Sequence, residues 1–221
     1  MRTDKHTILF DNDGVLVDTE SLFYEANCVM LREYGVFLDE KTFAEMSMTR
    51  GMSLADIIVS LGKTPEEAEA ARQKRNGIYN IMLQERSGSL VIPGVPEALE
   101  KLHRHFRIGI VTCCQTIHFN TIHESSGLRP YFDFVVGDDD FVLHKPHPEP
   151  YLTALRHAGI GDPAGAIAVE DSERGIMSAQ AAGIEAAAIP RGPSLFGDFS
   201  KADHRFETIG EFAAMMLGDR I

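Results

Sequence analysis

Short apolar runs recur along the chain, and each closes on polar or acidic residues: Ile8 to Phe10 ahead of Asp11, Arg107 to Thr112 (RIGIVT), Phe132 to Asp140 (FDFVVGDDD), Ala166 to Asp171 (AIAVED) and Glu185 to Pro190 (EAAAIP). A strand buried on both faces needs continuous rather than alternating hydrophobicity, so these runs predict parallel strands that deliver side chains to their C-terminal edge. Helix-like stretches lie between them, at Pro96 to Arg104, Thr116 to Ser126, Pro148 to Ala158 and Ser172 to Ala182. Strands alternating with helices predict an α/β fold, a doubly wound, mostly parallel sheet with helices on both faces.

The rhythm breaks between residues 20 and 88, where helical patterns at Phe43 to Met48, Ser53 to Leu61 and Pro65 to Glu85 follow one another with no strand signal. The last opens on Thr64-Pro65-Glu66-Glu67, an N-cap followed by Pro at the first helical position and acid in the first turn. Residues 20–88 are therefore expected to form an inserted small all-helical cap domain, with 1–19 and 89–221 forming the α/β core. Ser87-Gly88-Ser89 and Ile92-Pro93-Gly94 punctuate the return to that core.

Composition narrows the function. The 221 residues carry 21 basic and 33 acidic side chains, a net charge of −12 that repels nucleic acid and anionic membranes over most of the surface. An anionic substrate then needs local positive charge from a metal, a lysine or helix N-termini. No run approaches the roughly 20 apolar residues that span a bilayer, and MRTDKH is too polar for a signal-peptide core, so the expected location is cytoplasmic. Cys28, Cys113 and Cys114 show no metal-ligand spacing and read as reduced thiols.

Four elements bring chemistry to what should be one sheet edge, where open α/β sheets bind ligands. In FDNDGVLVDTE, Asp11 and Asp13 flank one residue and Gly14 follows; alternate residues face one way, and a bound cation relieves two such carboxylates. Taken alone, the pair also fits a surface Asx-Gly turn. Thr112, closing IVTCC, offers a hydroxyl and following backbone N–H groups to a phosphoryl oxygen, or serves only as a helix cap. Lys145, in HKPHPEPY, is followed by prolines that fix the backbone direction. Glu170 and Asp171, in VEDSERG, are hard oxygen ligands of the kind Mg²⁺ prefers, or an acidic capping turn.

With DNDGVLVDTE, IVT, KPHPEPY and VEDSERGIMSAQAAGI in this order and spacing, the sequence resembles the haloacid dehalogenase superfamily over essentially its whole length, in the branch of sugar phosphatases and β-phosphoglucomutases. The resemblance implies a haloacid-dehalogenase-like Rossmannoid core and Asp11 as the nucleophile that forms an aspartyl-phosphate. Asp13 is then the general acid and base, and Thr112 and Lys145 hold the transferring group, with Gly14 and Cys113 beside the substrate. It also implies Mg²⁺ as cofactor, held by Asp11, the backbone carbonyl of Asp13, Asp171 and Glu170. Members that cleave carbon–halogen bonds lack the second Asp, which is present here as Asp13. The family usually has Asn or Ser where this chain has Cys113; packing of Cys113 and Cys114 as small apolar residues is the favoured reading over thiol catalysis.

The same resemblance puts Arg50, in MSMTRGMSL, on a cap loop that reaches the active site, where it would bind a second anionic group of the substrate; a solvated turn arginine is the alternative. His144 and His147 flank Lys145 at the expected entrance, and none of the nine histidines makes a recognised metal spacing. Resembling mutases carry a His where this chain has Phe23, which cannot accept a proton. The leading expectation is a phosphatase of a small phosphorylated metabolite, a sugar or sugar-acid phosphate, acting as a monomer or weak homodimer. A phosphohexomutase and a catalytically silent binding protein on the same fold are the alternatives.

Overall fold

The computed structural model describes residues 5–218. Six strands, β1 (Thr7–Phe10), β2 (Arg107–Val111), β3 (Phe134–Val136), β4 (Ala166–Glu170), β5 (Glu185–Ala188) and β6 (His204–Arg205), form one sheet. Its order is β3-β2-β1-β4-β5-β6, and every pairing is parallel. All residues of β1 and β4 are buried, as their unbroken apolar runs require of central strands.

Successive side chains of β1 serve opposite faces. Ile8 and Phe10 pack in a core with α5 (Val95–His103), α6 (Thr116–His123) and α9 (Ile209–Leu217), whereas Leu9 joins α7 (Glu149–Ala158) and α8 (Glu173–Ala181) on the other side. The Phe10 ring meets Phe212 edge-on at 5.9 Å. Register then fixes the site: Phe10 lies opposite Ile110 on one side and Val169 on the other, so Asp11, Thr112, Glu170 and Asp171 leave the sheet at the same edge.

The third strand is shorter than its apolar run. The Asp133 carboxylate turns aside to accept the Ile108 N–H at 2.7 Å, and Asp138 to Asp140 coil into a 3-10 turn in which Asp140 accepts the Gly137 N–H at 2.9 Å. Outside the cap, one strand and one α-helix of the described residues lie beyond the expected set, β6 and α9. The first is two residues long, and the second places Ile209, Phe212, Ala213, Met216 and Leu217 on one buried helical face.

Between β1 and β2 the chain builds the helical cap from α1 (Thr19–Arg32), α2 (Glu40–Phe43), α3 (Leu54–Ser60) and α4 (Pro65–Arg86). The expected helix at 43–48 is instead α2 running into a wide π-type turn, Ala44–Thr49. Helix α4 begins as its sequence dictates: the Thr64 hydroxyl accepts the Glu67 N–H at 3.2 Å and the Glu67 carboxylate accepts the Thr64 N–H at 2.9 Å. Two apolar clusters hold these helices: Leu22, Ala26, Tyr79 and Leu83 pack with Val17, Leu90 and Ile122 of the core in one, and Met30, Leu31, Leu54 and Ile58 pack within the cap in the other. The outgoing and returning chains are bonded to each other, Asp18 N–H to Leu90 O at 2.8 Å and Ile92 N–H to Leu16 O at 3.0 Å. The ends of the expected core, residues 1–4 and 219–221, lie outside the described residues. Among the described residues, no helix is long and apolar enough to cross a membrane.

Candidate active site

The strand ends deliver three buried carboxylates to one point. Asp11, Glu170 and Asp171 each offer an oxygen, and these oxygens lie within 4.8 Å of one another. Two close packings hold them there. Gly14, at φ +77°, sits against Asp171, where a Cβ would overlap the carboxylate. Gly175 lets α8 pass directly over Glu170, which a Cβ would also strike. Ser172 starts that helix by accepting the Gly175 N–H at 3.1 Å.

Lys145, 7% exposed, donates all three of its ammonium hydrogens: to Asp11 Oδ1 at 2.7 Å, Glu170 Oε1 at 2.7 Å and the Val111 carbonyl at 2.8 Å. Glu170 Oε1 also accepts the Tyr151 hydroxyl at 2.7 Å, and Asp171 Oδ2 accepts the Ser194 hydroxyl at 2.5 Å. Asp13 stands beside them, with Oδ1 accepting from Thr19 at 2.5 Å and Oδ2 from Thr112 at 3.0 Å. The Thr112 oxygen in turn accepts the Cys114 N–H at 2.9 Å.

One ammonium faces three buried carboxylates, so negative charge is left in excess. Burial pushes the Asp11 carboxyl well above the usual carboxylate range against the pull of Lys145, and Glu170, Asp13 and Asp171 add to the push. Asp171 is raised by burial and by Glu20, against its bond from Ser194. For Lys145, burial opposes the charge, but Asp11 and Glu170 outweigh it and hold the ammonium well above its ordinary value. An all-oxygen, buried, charge-deficient set of this kind fits a hard divalent cation.

Above the cluster opens a cavity of about 630 Å³. Asp11, Asp13, Lys145, Glu170 and Asp171 form its floor; Glu20 and Phe23 of α1, Arg72, Arg75, Asn76, Tyr79 and Asn80 of α4 and His118 of α6 line the walls. Cys113, Cys114 and His144 also line it. Burial raises both thiols, and the two cysteines pack against the cores on opposite faces of the sheet, Cys113 on the side of α7 and α8 and Cys114 on the side of α5, α6 and α9.

Not every expected residue faces this space. Thr112 sits behind Asp13, and the Gly14 N–H is bonded to Val17 O at 2.8 Å. His147 packs away, its ring accepting the Glu149 N–H at 3.2 Å and its carbonyl accepting the Ser178 hydroxyl at 2.6 Å. Arg50 is exposed and paired with Glu45, and it is not among the residues lining the cavity.

The structure adds groups that sequence reasoning passed over. Glu20 lines the cavity, and burial together with Asp13, Asp11 and Asp18 raises it to about 8. Its signal was adjacency, as the last residue of the DNDGVLVDTE string; Tyr151 likewise closes KPHPEPY. Arg75, Tyr79 and Ser194 had no comparable signal.

Residues 8–189 match the family described as haloacid dehalogenase-like hydrolase. The chain is 27% identical over 180 residues to the fructose-1-phosphate phosphatase of Escherichia coli strain K12, covering 81% of this chain and 93% of that one. It is 28% identical over 222 aligned positions to hexitol phosphatase B of the same organism, covering 95% of each. Its fold matches the crystal structure of β-phosphoglucomutase from Clostridium difficile with a TM-score of 0.73 at 22% identity, over 94% of this chain and 92% of that one.

Proposed function

The chain belongs to the haloacid dehalogenase-like hydrolase family, and on that premise we propose that it is a Mg²⁺-dependent phosphatase of a small phosphorylated sugar or sugar acid. The observation that carries this is the Asp11 carboxylate, held by Lys145 beside Glu170 and Asp171 at the floor of a cavity walled by helices of the cap. The phosphatases to which the chain is similar act on sugar and hexitol phosphates by their names, which supports the substrate class.

In this reading an Asp11 oxygen attacks phosphorus while the bond to the ester oxygen breaks, giving an aspartyl-phosphate. Asp13 gives its proton to the departing oxygen. The resulting carboxylate then takes a proton from water, whose oxygen attacks phosphorus and releases phosphate from Asp11. The hydroxyls of Thr19 and Thr112 clamp Asp13 from two sides, so the acid–base group stays aimed. Lys145 fixes the nucleophile and offsets charge at the transferring group. Asp11, Asp171, Glu170 and the Asp13 carbonyl are the groups to hold Mg²⁺, which when bound neutralises charge developing on the phosphoryl oxygens. The cap walls exclude bulk water and select the leaving group.

Phe23 favours water over a sugar as the acceptor. Its ring lines the cavity, packed on Tyr79 at 5.7 Å and on Phe43 at 6.3 Å, and it offers nothing to deprotonate a sugar hydroxyl. The test is phosphate release from a panel of phosphorylated sugars and sugar acids, with Mg²⁺ and with chelator, alongside β-glucose 1-phosphate plus a trace of the 1,6-bisphosphate. Mg²⁺-dependent release without isomerisation is expected. Rapid isomerisation with little phosphate, or unchanged rates in chelator, would overturn the reading.

A further inference from the structure

Apart from the catalytic cluster, the cavity wall carries one buried charge with little to hold it. Arg75, in the middle of α4, is 6% exposed, and among the described residues no carboxylate pairs with it. Nη1 reaches Asn27 Oδ1 at 3.4 Å, a long hydrogen bond, and the buried Nε has no partner. Its basic neighbours on the same helix are all neutralised: Arg72 by Glu69 and Lys74 by Glu33, at 2.7 and 2.6 Å, and Arg86 by Glu25 at 2.6 Å. A buried cation without a counter-charge is unfavourable, yet a chain with 33 acidic residues spends none here.

The group is also oriented. The guanidinium lies over the Phe23 ring, 4.2 Å from its centroid, which fixes its plane. Nη1 is turned to Asn27 and Nε is enclosed, while the side chain lines the cavity, so an anion there would meet a guanidinium charge that no carboxylate balances. Burial, aided by Arg72, lowers Arg75 only to about 10, so it stays charged at neutral pH.

We propose that Arg75, seated on Phe23, is an anion-binding residue that selects substrates carrying a second anionic group beyond the transferred phosphoryl group, either a carboxylate or a further phosphate. The word substrate rests on the phosphatase reading above; the unbalanced charge of Arg75 does not. Arg50, the residue to which the sequence pointed for such a group, is exposed and already paired with Glu45.

The test measures binding rather than turnover. The Asp11→Asn protein with Mg²⁺ is titrated calorimetrically with two matched pairs, glucose 6-phosphate against 6-phosphogluconate and fructose 6-phosphate against fructose 1,6-bisphosphate. In at least one pair the member with the second anion binds about 10- to 100-fold more tightly, the worth of one charge-assisted pair. The first pair reports a carboxylate and the second a phosphate. Adding Arg75→Gln brings that ratio close to one, whatever happens to the absolute affinities. Arg75→Lys keeps charge without the planar guanidinium that lies on Phe23 and gives an intermediate ratio, and Phe23→Leu, which removes the ring that orients the guanidinium, also lowers it. If the Gln variant does not fold, the Lys and Leu variants decide. No discrimination in either pair, no measurable binding of any of the four, or a ratio untouched by these substitutions overturns the proposal. A separate assay of the unmutated protein on para-nitrophenyl phosphate separates the two readings: absence of hydrolysis there overturns the phosphatase, whereas hydrolysis without charge discrimination overturns the role of Arg75 alone.

Discussion

Replacing Lys145 by Met removes the ammonium and keeps most of the volume of its stem. The side chain is 7% exposed and donates at 2.7 Å to Asp11, 2.7 Å to Glu170 and 2.8 Å to Val111 O, so the change leaves buried carboxylates facing one another with nothing between them. Removing one partner of a buried, hydrogen-bonded ion pair costs about 3–5 kcal/mol. For a chain of this size each kcal/mol is worth about 2–4 °C in Tm, so the expected loss is about 6–20 °C in chelator at pH 8. The pH dependence has a definite sign. Asp11 is already raised above its unfolded value, and losing Lys145 raises it further. The folded variant therefore binds protons that the unfolded chain does not, and its stability increases as pH falls toward the unfolded carboxylate range. Thermal unfolding at pH 8 and pH 5.5, in chelator and in Mg²⁺, measures this: the deficit is largest at pH 8 in chelator and shrinks when acid or cation is added. A variant as stable as the parent at pH 8 in chelator would refute the charge argument.

Three further outcomes follow from the same geometry. Asp11→Asn, nearly isosteric, is expected to lose about a thousandfold or more of turnover while unfolding cooperatively, and appreciable activity in the pure variant would sink covalent catalysis. Asp13→Asn is expected to slow hydrolysis of sugar phosphates, whose alkoxide leaving groups need a proton, far more than that of para-nitrophenyl phosphate; equal losses would remove Asp13 as the leaving-group acid. Glu20 is raised by burial and by Asp13 to about 8, so its contribution to stability is complete below about 4.5 and is lost as pH rises to about 8. Glu20→Gln flattens that decline in urea midpoints measured in chelator, and an identical slope in both proteins would contradict the assignment.

Much of the fold was legible in the sequence because its determinants are local or periodic. The apolar runs gave five of the strands near their true positions, since a strand buried on both faces leaves no other pattern. Thr64 announced the helix it caps, because a cap is made by residues three apart. The carboxylates Asp11, Asp13, Glu170 and Asp171 and the lysine Lys145 could be named from strand ends and motif order. Short elements escaped: β6 has two residues and no periodicity to read, and the FDFVVGDDD run gave no sign that Asp133 and Asp140 would turn back to cap backbone N–H groups and shorten β3.

What the tertiary structure alone decided is which groups meet across large separations in the chain. Tyr151 meets Glu170, and Ser194 meets Asp171, only because α7 and the segment after β5 pack at the same sheet edge. Glu20 becomes a weak acid because the first turn of α1 folds down beside Asp11 and Asp13, a matter of burial and distance that composition does not encode. Arg50 and Arg75 make the sharpest contrast. Both are arginines of the cap; one sits after a π-type turn with Glu45 in reach, and the other is turned inward over Phe23 with no carboxylate beside it. Their charge is written in the sequence, but whether each is paired in solvent or held unpaired at the cavity wall depends on how the helices of the cap pack.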